Sequence, residues 1–405
     1  MHYVSLGHPG GVERHCAEFL AYASEASPAW RHSVVAAGSD VHPLIRDEIR
    51  NIAALDHEKY FHGVKLPSKP RLFRRKRLEG IVARRAPALA LIWNRPVRSR
   101  QFVAALRGRP WLYWEHGAGW FEGDEALRRE FYQSADSIIA NSFAAKRMLQ
   151  LRWECMADIE VCLNALRPGL RRQSGGAAEV RVSPHNRKIR LGFAGRLLDI
   201  KGVPLVLHAV GILKKQGVDV ELHVAGGGGL ETSLKALAKR LDIDEEVVWH
   251  GVVKDMTGFY RHIDCLLHPA LREPFGLVCI EAAAFGCPVI AANIDGLPEA
   301  VSDGVTGICL QPELPVRDYN DLGGNARELP AFVYYPKQDS IGAPMLVDPA
   351  EMAAAVLRIV EEPGEFRRLS GNGLTEIDRK FDFGRHVDKV LGVLNRYCDD
   401  RGRGQ

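Results

Sequence analysis

Glu273-Pro-Phe-Gly-Leu-Val-Cys-Ile-Glu281 lies between two apolar runs, CLLHPAL (265–271) and PVIAANI (288–294), and its reading decides the fold. A short apolar run, a loop closed by Pro274 and Gly276, a helical pattern from Gly276 to Phe285 and a second apolar run make one strand–loop–helix–strand unit. The flanking sequence repeats the plan. KIRLGFAG (188–195) precedes a helix near 204–216, VELHVAGGG (220–228) precedes one near 231–241, and VVWHGVV (247–253) leads back to CLLHPAL. Apolar runs of this kind fit strands buried on both faces, the habit of a parallel sheet covered by helices.

The N-terminal half carries the same alternation. A strand at Met1–Leu6, the turn Gly7-His8-Pro9-Gly10-Gly11 and an amphipathic helix over Val12–Ala23 are followed by strand-like runs at 32–38, 89–94, 111–116, 137–142 and 159–164. Residues 173–188 (QSGGAAEVRVSPHNRK) are polar and aperiodic, which predicts a linker. The expected division is a Rossmann-like domain over 1–172, the linker 173–188, a second Rossmann-like domain over 189–380 and a terminal segment 381–405. Ligands bind at the carboxyl ends of strands in such sheets, which predicts a cleft between the domains. Within the second domain, 312–345 is rich in Pro, Gly, Asn and Tyr and reads as a long surface insertion. The last helix, about 383–397, places Val387, Val390, Leu391 and Leu394 at helical spacing and so has a packing face.

Composition excludes several classes. The 405 residues are 46% hydrophobic and 26% charged with net charge +4, an ordinary globular balance with enough apolar surface for two cores. Basic residues cluster at Lys65–Arg85, where only Glu79 opposes them; a solvated face, an anionic lipid or acceptor, and nucleic acid are the readings of such a run, and nucleic acid is the least favoured. The eight cysteines form no CxxC pair and several sit in apolar runs, which suggests buried thiols. Met1 leads straight into a strand-like run and no apolar stretch is long enough to span a bilayer, so the expected location is cytoplasmic, at most peripheral on the inner face of the membrane.

The candidate chemistry returns to the opening stretch. Glu281 falls between Val278-Cys279-Ile280 and Ala282-Ala283-Ala284, where an unpaired carboxylate is costly; from a helix it can accept two ribose hydroxyls. Glu273 precedes the helix start, whose N–H groups around Phe275, Gly276 and Leu277 suit a diphosphate. Arg196 and Lys201 follow the strand LGFAG, a planar fork and a point charge suited to a leaving phosphate. In the first half, Gly10-Gly11 is a turn that lets backbone approach a ligand, and His116 ends the apolar strand WLYWEH. Asp242-Ile-Asp244 spells Asp-x-Asp, but it sits in a helix-end turn beside Glu245 and Glu246 and is not expected to hold a metal.

Together these motifs resemble the family-4 retaining glycosyltransferases of the GT-B fold, most specifically in GFAGRLLDIKG, HVAGGG, VVWHGVV, Glu273–Glu281 and Gly296-Leu297-Pro298-Glu299 with DGVTG. The match is looser in PGGVERH, WEHG and ADSIIANS. The resemblance implies an α/β protein of two facing Rossmann-like domains, with the terminal helix packing back on the N-terminal, acceptor-side domain. It implies that Arg196 and Lys201 hold the diphosphate, Glu281 the ribose, and Glu273 with the amides of Phe275, Gly276 and Leu277 the sugar. His116 then meets the sugar at the reacting centre, Gly10 and Gly11 border diphosphate and acceptor, and the base meets mostly backbone around Gly251 and Val252. The implied activity moves a hexose from a UDP- or GDP-sugar to a glycan or lipid-linked acceptor, without metal or cofactor, in bacterial surface polysaccharide or lipopolysaccharide assembly. A nucleotide-sugar epimerase or hydrolase, or a non-catalytic binding subunit, are the rival readings. HVAGGGG carries Gly where the family often has Pro, NALRP (164–168) replaces Asn-Gly-Val-Asp, and 312–345 is longer than usual.

Overall fold

The structure, a computed structural model, describes residues 1–7, 10–38, 40–61, 64–67, 72–173 and 179–399. It divides into two compact units, Met1–Leu163 with Phe383–Gln405, and Asn164–Asp382. The division therefore falls at 163/164 and 382/383 rather than at a 173–188 linker. Residues 179–188 instead strap onto the second unit. Arg181 donates to the carbonyls of Phe285 (2.7 Å), Tyr260 and Ile263, and Arg187 grips Asp264 through both guanidinium nitrogens (2.8 and 2.6 Å). Arg181 satisfies carbonyls at helix ends and Arg187 a buried carboxylate, so the polar composition reflects a strap and not a solvated tether.

In the first unit seven strands form one parallel sheet: β1 (His2–Val4), β2 (Ser33–Ala36), β3 (Ala54–His57), β4 (Ala90–Ile92), β5 (Trp111–Glu115), β6 (Ser137–Ala140) and β7 (Ile159–Val161), in the order β3-β2-β1-β4-β5-β6-β7. Helix α1 (Gly11–Ala26) follows β1, and the basic run forms α2 (Leu72–Arg85). Leu78, Ile81 and Val82 bury one face of α2; Arg84 and Arg85 reach Asp56 at 2.6 and 2.9 Å, and Arg75 pairs with Glu79. Part of the run is thus neutralised by intramolecular pairs; Lys69 and Arg71 lie outside the described residues. The C-terminal helix, α4 (Phe383–Asp399), belongs to this unit and packs on α1.

The second unit holds a six-stranded parallel sheet: β8 (Ile189–Ala194), β9 (Val220–Ala225), β10 (Val247–Gly251), β11 (Cys265–His268), β12 (Val289–Ala292) and β13 (Gly307–Leu310), in the order β10-β9-β8-β11-β12-β13. Helix α3 (Leu277–Ala283) follows β11. The order reverses between β8 and β11, so the loops leaving those neighbouring strands flank the switch point at which ligands bind. The 312–345 excursion is folded against this unit rather than loose on its surface. Its chain pairs Leu314–Pro315 with Met345–Leu346 and Val333–Tyr335 with Ser340–Gly342, and Tyr319, fully buried, donates to Asp199 O at 2.7 Å. Among the described residues no helix is long and apolar enough to cross a membrane.

The first unit has a histidine-rich core. His116, His386 and His32 are pushed down by burial, to about 3, 4 and 4 respectively, so they stay neutral where the unfolded chain takes a proton near its ordinary value of 6.5. Unfolding therefore takes up protons below pH 6.5, and stability held above that pH is lost as pH falls toward 4, about 1.4 kcal/mol per pH unit for each such residue. Six of the seven tryptophans (Trp30, Trp93, Trp111, Trp114, Trp120, Trp153) lie in this unit. The urea midpoint followed by their fluorescence is expected to fall steeply between pH 6.5 and 4.5; an unchanged midpoint would contradict the neutral core.

Candidate functional site

The loops leaving β8, β9 and β10 are laced together by backbone. Gly195 N donates to Ala225 O (2.9 Å), Leu197 N to Gly227 O (3.0 Å) and Gly226 N to Gly251 O (2.7 Å). The approach requires glycine at 226: its φ is +149° and a Cβ there would sit 1.8 Å from Gly195 O. Arg196 stands exposed on this lattice, Lys201 ends a short 3-10 turn (Asp199–Lys201), and Val252, 81% exposed, follows Gly251 with its side chain against Gly227.

The loop after β11 meets the loop after β8 directly. Lys201 Nζ donates to Glu273 Oε2, and His268 Nε2 lies 3.2 Å from the same oxygen. Burial alone would raise the Glu273 carboxyl, but Lys201 and His268 outweigh it and hold the group ionised well below the usual range. Burial dominates at His268 and pushes it down despite Glu273. Arg272 is lowered first by burial, with the charge of Arg196 adding to the effect against Asp295 and Glu273. Arg196, Lys201, Arg272 and Glu273 thus form one electrostatic group.

Asp295 fixes the Glu273 loop. Fully buried, it accepts Glu273 N at 3.0 Å and Tyr334 N at 2.7 Å, while Gly296 N returns to Glu273 O at 3.1 Å. Phe275 is buried with its ring edge-on to Phe381 (5.9 Å). Gly276 takes φ +100° and a Cβ would meet Leu297 at 2.7 Å, so the residue before α3 has to be glycine. No side chain caps α3, which leaves the amides at Leu277 and its neighbours directed outward from the helix start.

Glu281 is buried on α3, as its apolar neighbours predict, and the structure shows what offsets the cost: Tyr260 OH donates to Oε2 (2.8 Å) and Arg167 Nη2 to Oε1 (3.1 Å). Each carboxylate oxygen keeps a second lone pair for a further donor. The carboxylate in turn raises the Tyr260 hydroxyl, after burial as the larger cause.

In the first unit, His116 stacks on Trp93 (5.6 Å between centroids, 6° between planes) and on Trp114 (5.2 Å). Its Nε2 is buried without a hydrogen-bond partner among the described residues. Glu115, fully buried, accepts the amides of Gly117 and Gly119 (3.1 Å for the second) and so shapes the turn that presents His116. Gly10 is the N-cap of α1 with extended backbone (φ −81°, ψ −178°) and Gly11 is its first residue, so the pair opens the helix. His8 and Pro9 before them lie outside the described residues.

His268, Arg272, Asp295, Tyr260 and Arg167 were not singled out from sequence. CLLHPAL displays His268, but only the fold brings it to Glu273. For metal chemistry, Asp242 of the Asp-x-Asp sequence faces Lys214 (3.4 Å). Elsewhere Glu221, His223 and His262 bring one ligand atom each within 4.8 Å of one another, with His223 already hydrogen-bonded to Glu221 and His250, both at 2.9 Å.

Residues 178–321 match the family model described as Glycosyl transferases group 1. A D-inositol 3-phosphate glycosyltransferase of Arthrobacter sp. (strain FB24) is 34% identical over 157 residues, 37% of this chain and 35% of that protein. Its namesake from Streptomyces scabiei (strain 87.22) is 32% identical over 222 residues, 50% and 49% of the two chains. The chain thus spans between about a third and a half of the length of these relatives. Over 98% of its length it superposes on Anabaena Alr3699/HepE, solved with UDP and glucose (TM-score 0.69, 18% identity, 98% of that chain), and on a glycosyltransferase from Rickettsia africae ESF-5 (TM-score 0.71, 16% identity, 97% of that chain). At such identities the likeness shows the fold, which is GT-B: two Rossmann-like domains and a C-terminal helix.

Proposed function

We infer that this GT-B chain, with its glycosyl transferases group 1 segment at 178–321, transfers a sugar from a nucleoside diphosphate to an acceptor hydroxyl with retention of anomeric configuration. The observation that carries the reading is the ionised Glu273 held between Lys201 and His268 at the switch point of the second sheet. Lys201 and Arg196 supply positive charge to a departing diphosphate, the stabilisation a metal ion otherwise provides. Glu273 and the amides around Phe275, Gly276 and Leu277 take the sugar hydroxyls, Glu281 the ribose, and the backbone at Gly251 and Val252 the base. His116, held neutral by burial, contributes a hydrogen bond to the transferred sugar and is no proton donor near neutral pH. Gly10 and Gly11, at the start of α1, offer backbone to diphosphate and acceptor. A same-face transfer in which the leaving phosphate accepts the acceptor proton needs no paired carboxylates of the hydrolase type.

The Anabaena protein's bound UDP and glucose favour a UDP-hexose donor. The acceptor proposed is a glycan or lipid-linked hydroxyl of a bacterial surface polysaccharide or lipopolysaccharide. Proton NMR of UDP-glucose and its GDP counterpart with a panel of such acceptors, in EDTA, tests the reading. An α-linked product from the α-linked donor is expected. Acceptor-free conversion to an epimer or free sugar would overturn it. For the ribose contact, Glu281→Gln is expected to weaken UDP binding by about tenfold or more in calorimetry and to lower Tm, since the amide oxygen keeps an acceptor for only one of Tyr260 and Arg167.

A further inference from the structure

A pocket of about 1070 Å³ opens within the first unit at the carboxyl ends of β1 to β4. Lys59, Arg74, Arg75, Arg95, Arg98 and Arg100 line it, against two acids, Glu58 and Glu130. Both acids are already engaged: Glu58 accepts Tyr3 OH at 2.9 Å, and both oxygens of Glu130 accept from Arg100 Nη2, at 3.0 and 3.1 Å. Arg75 is paired with Glu79. Lys59, Arg74, Arg95 and Arg98 form no ion pair among the described residues, and Arg74 Nε is buried without a hydrogen-bond partner there. Six cations against two acids leave the concavity with excess positive charge, a repulsive cost that an anionic ligand removes.

The loop after β4 is built to hold its arginines in place. Arg95 adopts φ +57°, a left-handed conformation uncommon outside glycine. Ser99 Oγ donates to Arg95 O (3.0 Å) and to Asn94 O (3.3 Å), and Asn94 Oδ1 accepts Ser5 N at 3.2 Å. Backbone strain stabilised by such ties is characteristic of binding loops. Arginine forks from α2 and from the segment after β4 match the several oxygens of a phosphoryl group better than the two of a carboxylate.

We propose that this pocket binds a phosphoryl group carried by the acceptor, so that the sugar is transferred to a phosphorylated acceptor molecule. The proposal rests on the glycosyltransferase reading, and binding measured without turnover separates the two. Thermal shift with glucose 6-phosphate, glucose and inorganic phosphate is the first arm, on the full chain and on the double variant Arg95→Ala/Arg98→Ala, whose exposed side chains form no ion pair among the described residues. Glucose 6-phosphate is expected to raise Tm where glucose does not, and the double variant to lose about tenfold or more in affinity while its response to UDP is kept. Co-sedimentation with phosphatidylcholine vesicles, with and without phosphatidylglycerol, identifies the source. Binding that needs phosphatidylglycerol, the two arginines, and yields to glucose 6-phosphate assigns a lipid-borne phosphoryl group; no sedimentation assigns a soluble one. Equal responses to glucose and glucose 6-phosphate, or a double variant that binds like the parent, overturn the proposal. If UDP fails to shift Tm while the phosphate arm holds, the donor reading falls and the pocket assignment stands.

Discussion

Lys201→Ala is expected to lower turnover by about 10²–10³-fold with the fold intact. Lys201 is mostly enclosed (15% side-chain exposure) and its ammonium is the strongest influence holding Glu273 ionised against burial. Its loss removes charge from the leaving diphosphate and also loosens the carboxylate proposed to orient the sugar. The two effects separate by pH. With Lys201 gone, the Glu273 carboxyl moves up toward its ordinary value, so the residual activity of the variant falls on the acid side at a higher pH than in the parent. Lys201→Arg keeps the charge but not the compact ammonium and is expected to recover only part of the rate. Steady-state rates and Tm on the three proteins check this; an alanine variant within about threefold of the parent would remove Lys201 from the chemistry.

The largest stability effect is expected at a residue that touches no substrate. Asp295→Ala leaves the amides of Glu273 and Tyr334 without their acceptor in a buried setting, at a cost of about 1–3 kcal/mol each. Asp295 also stands at φ +46°, which asparagine tolerates better than alanine. Asp295→Asn is therefore expected to keep more of the stability than Asp295→Ala, since its amide oxygen can still accept one of the two N–H groups. Urea unfolding of the second unit, followed at Trp249, measures both variants. Equal stability of the alanine variant and the parent would mean that the Glu273 loop is held by other contacts.

The alternation of apolar runs and helices was legible because strands of a parallel sheet, covered on both faces, carry little but apolar residues. The pairing of Lys201 with Glu273 follows from the same regularity, since both sit in loops after neighbouring strands. Where burial is partial the signal weakens. Strand Ala54–His57 contains Asp56, whose charge is matched only by arginines of α2, and it was not recognised. Gly10-Gly11 reads as a turn, yet a glycine pair serves equally to open a helix, which is what it does. Residues 312–345 look like a loop by composition, because buried tyrosines and backbone bonds to Asp199 and Asp295 carry no periodicity. Asp295 and His268 were hidden for a related reason: their partners lie in other loops, and a single polar residue at a strand end looks the same whether it is exposed or holds a site together.

The most direct test of the account is calorimetric titration of UDP into the chain, in EDTA, alongside Lys201→Ala and Glu281→Gln. Saturable binding to the parent with one site, unaffected by the chelator and weakened about tenfold or more in both variants, is the predicted result. Binding that vanishes in EDTA, or that is the same in all three proteins, would contradict a nucleotide-sugar site built on Lys201, Glu273 and Glu281.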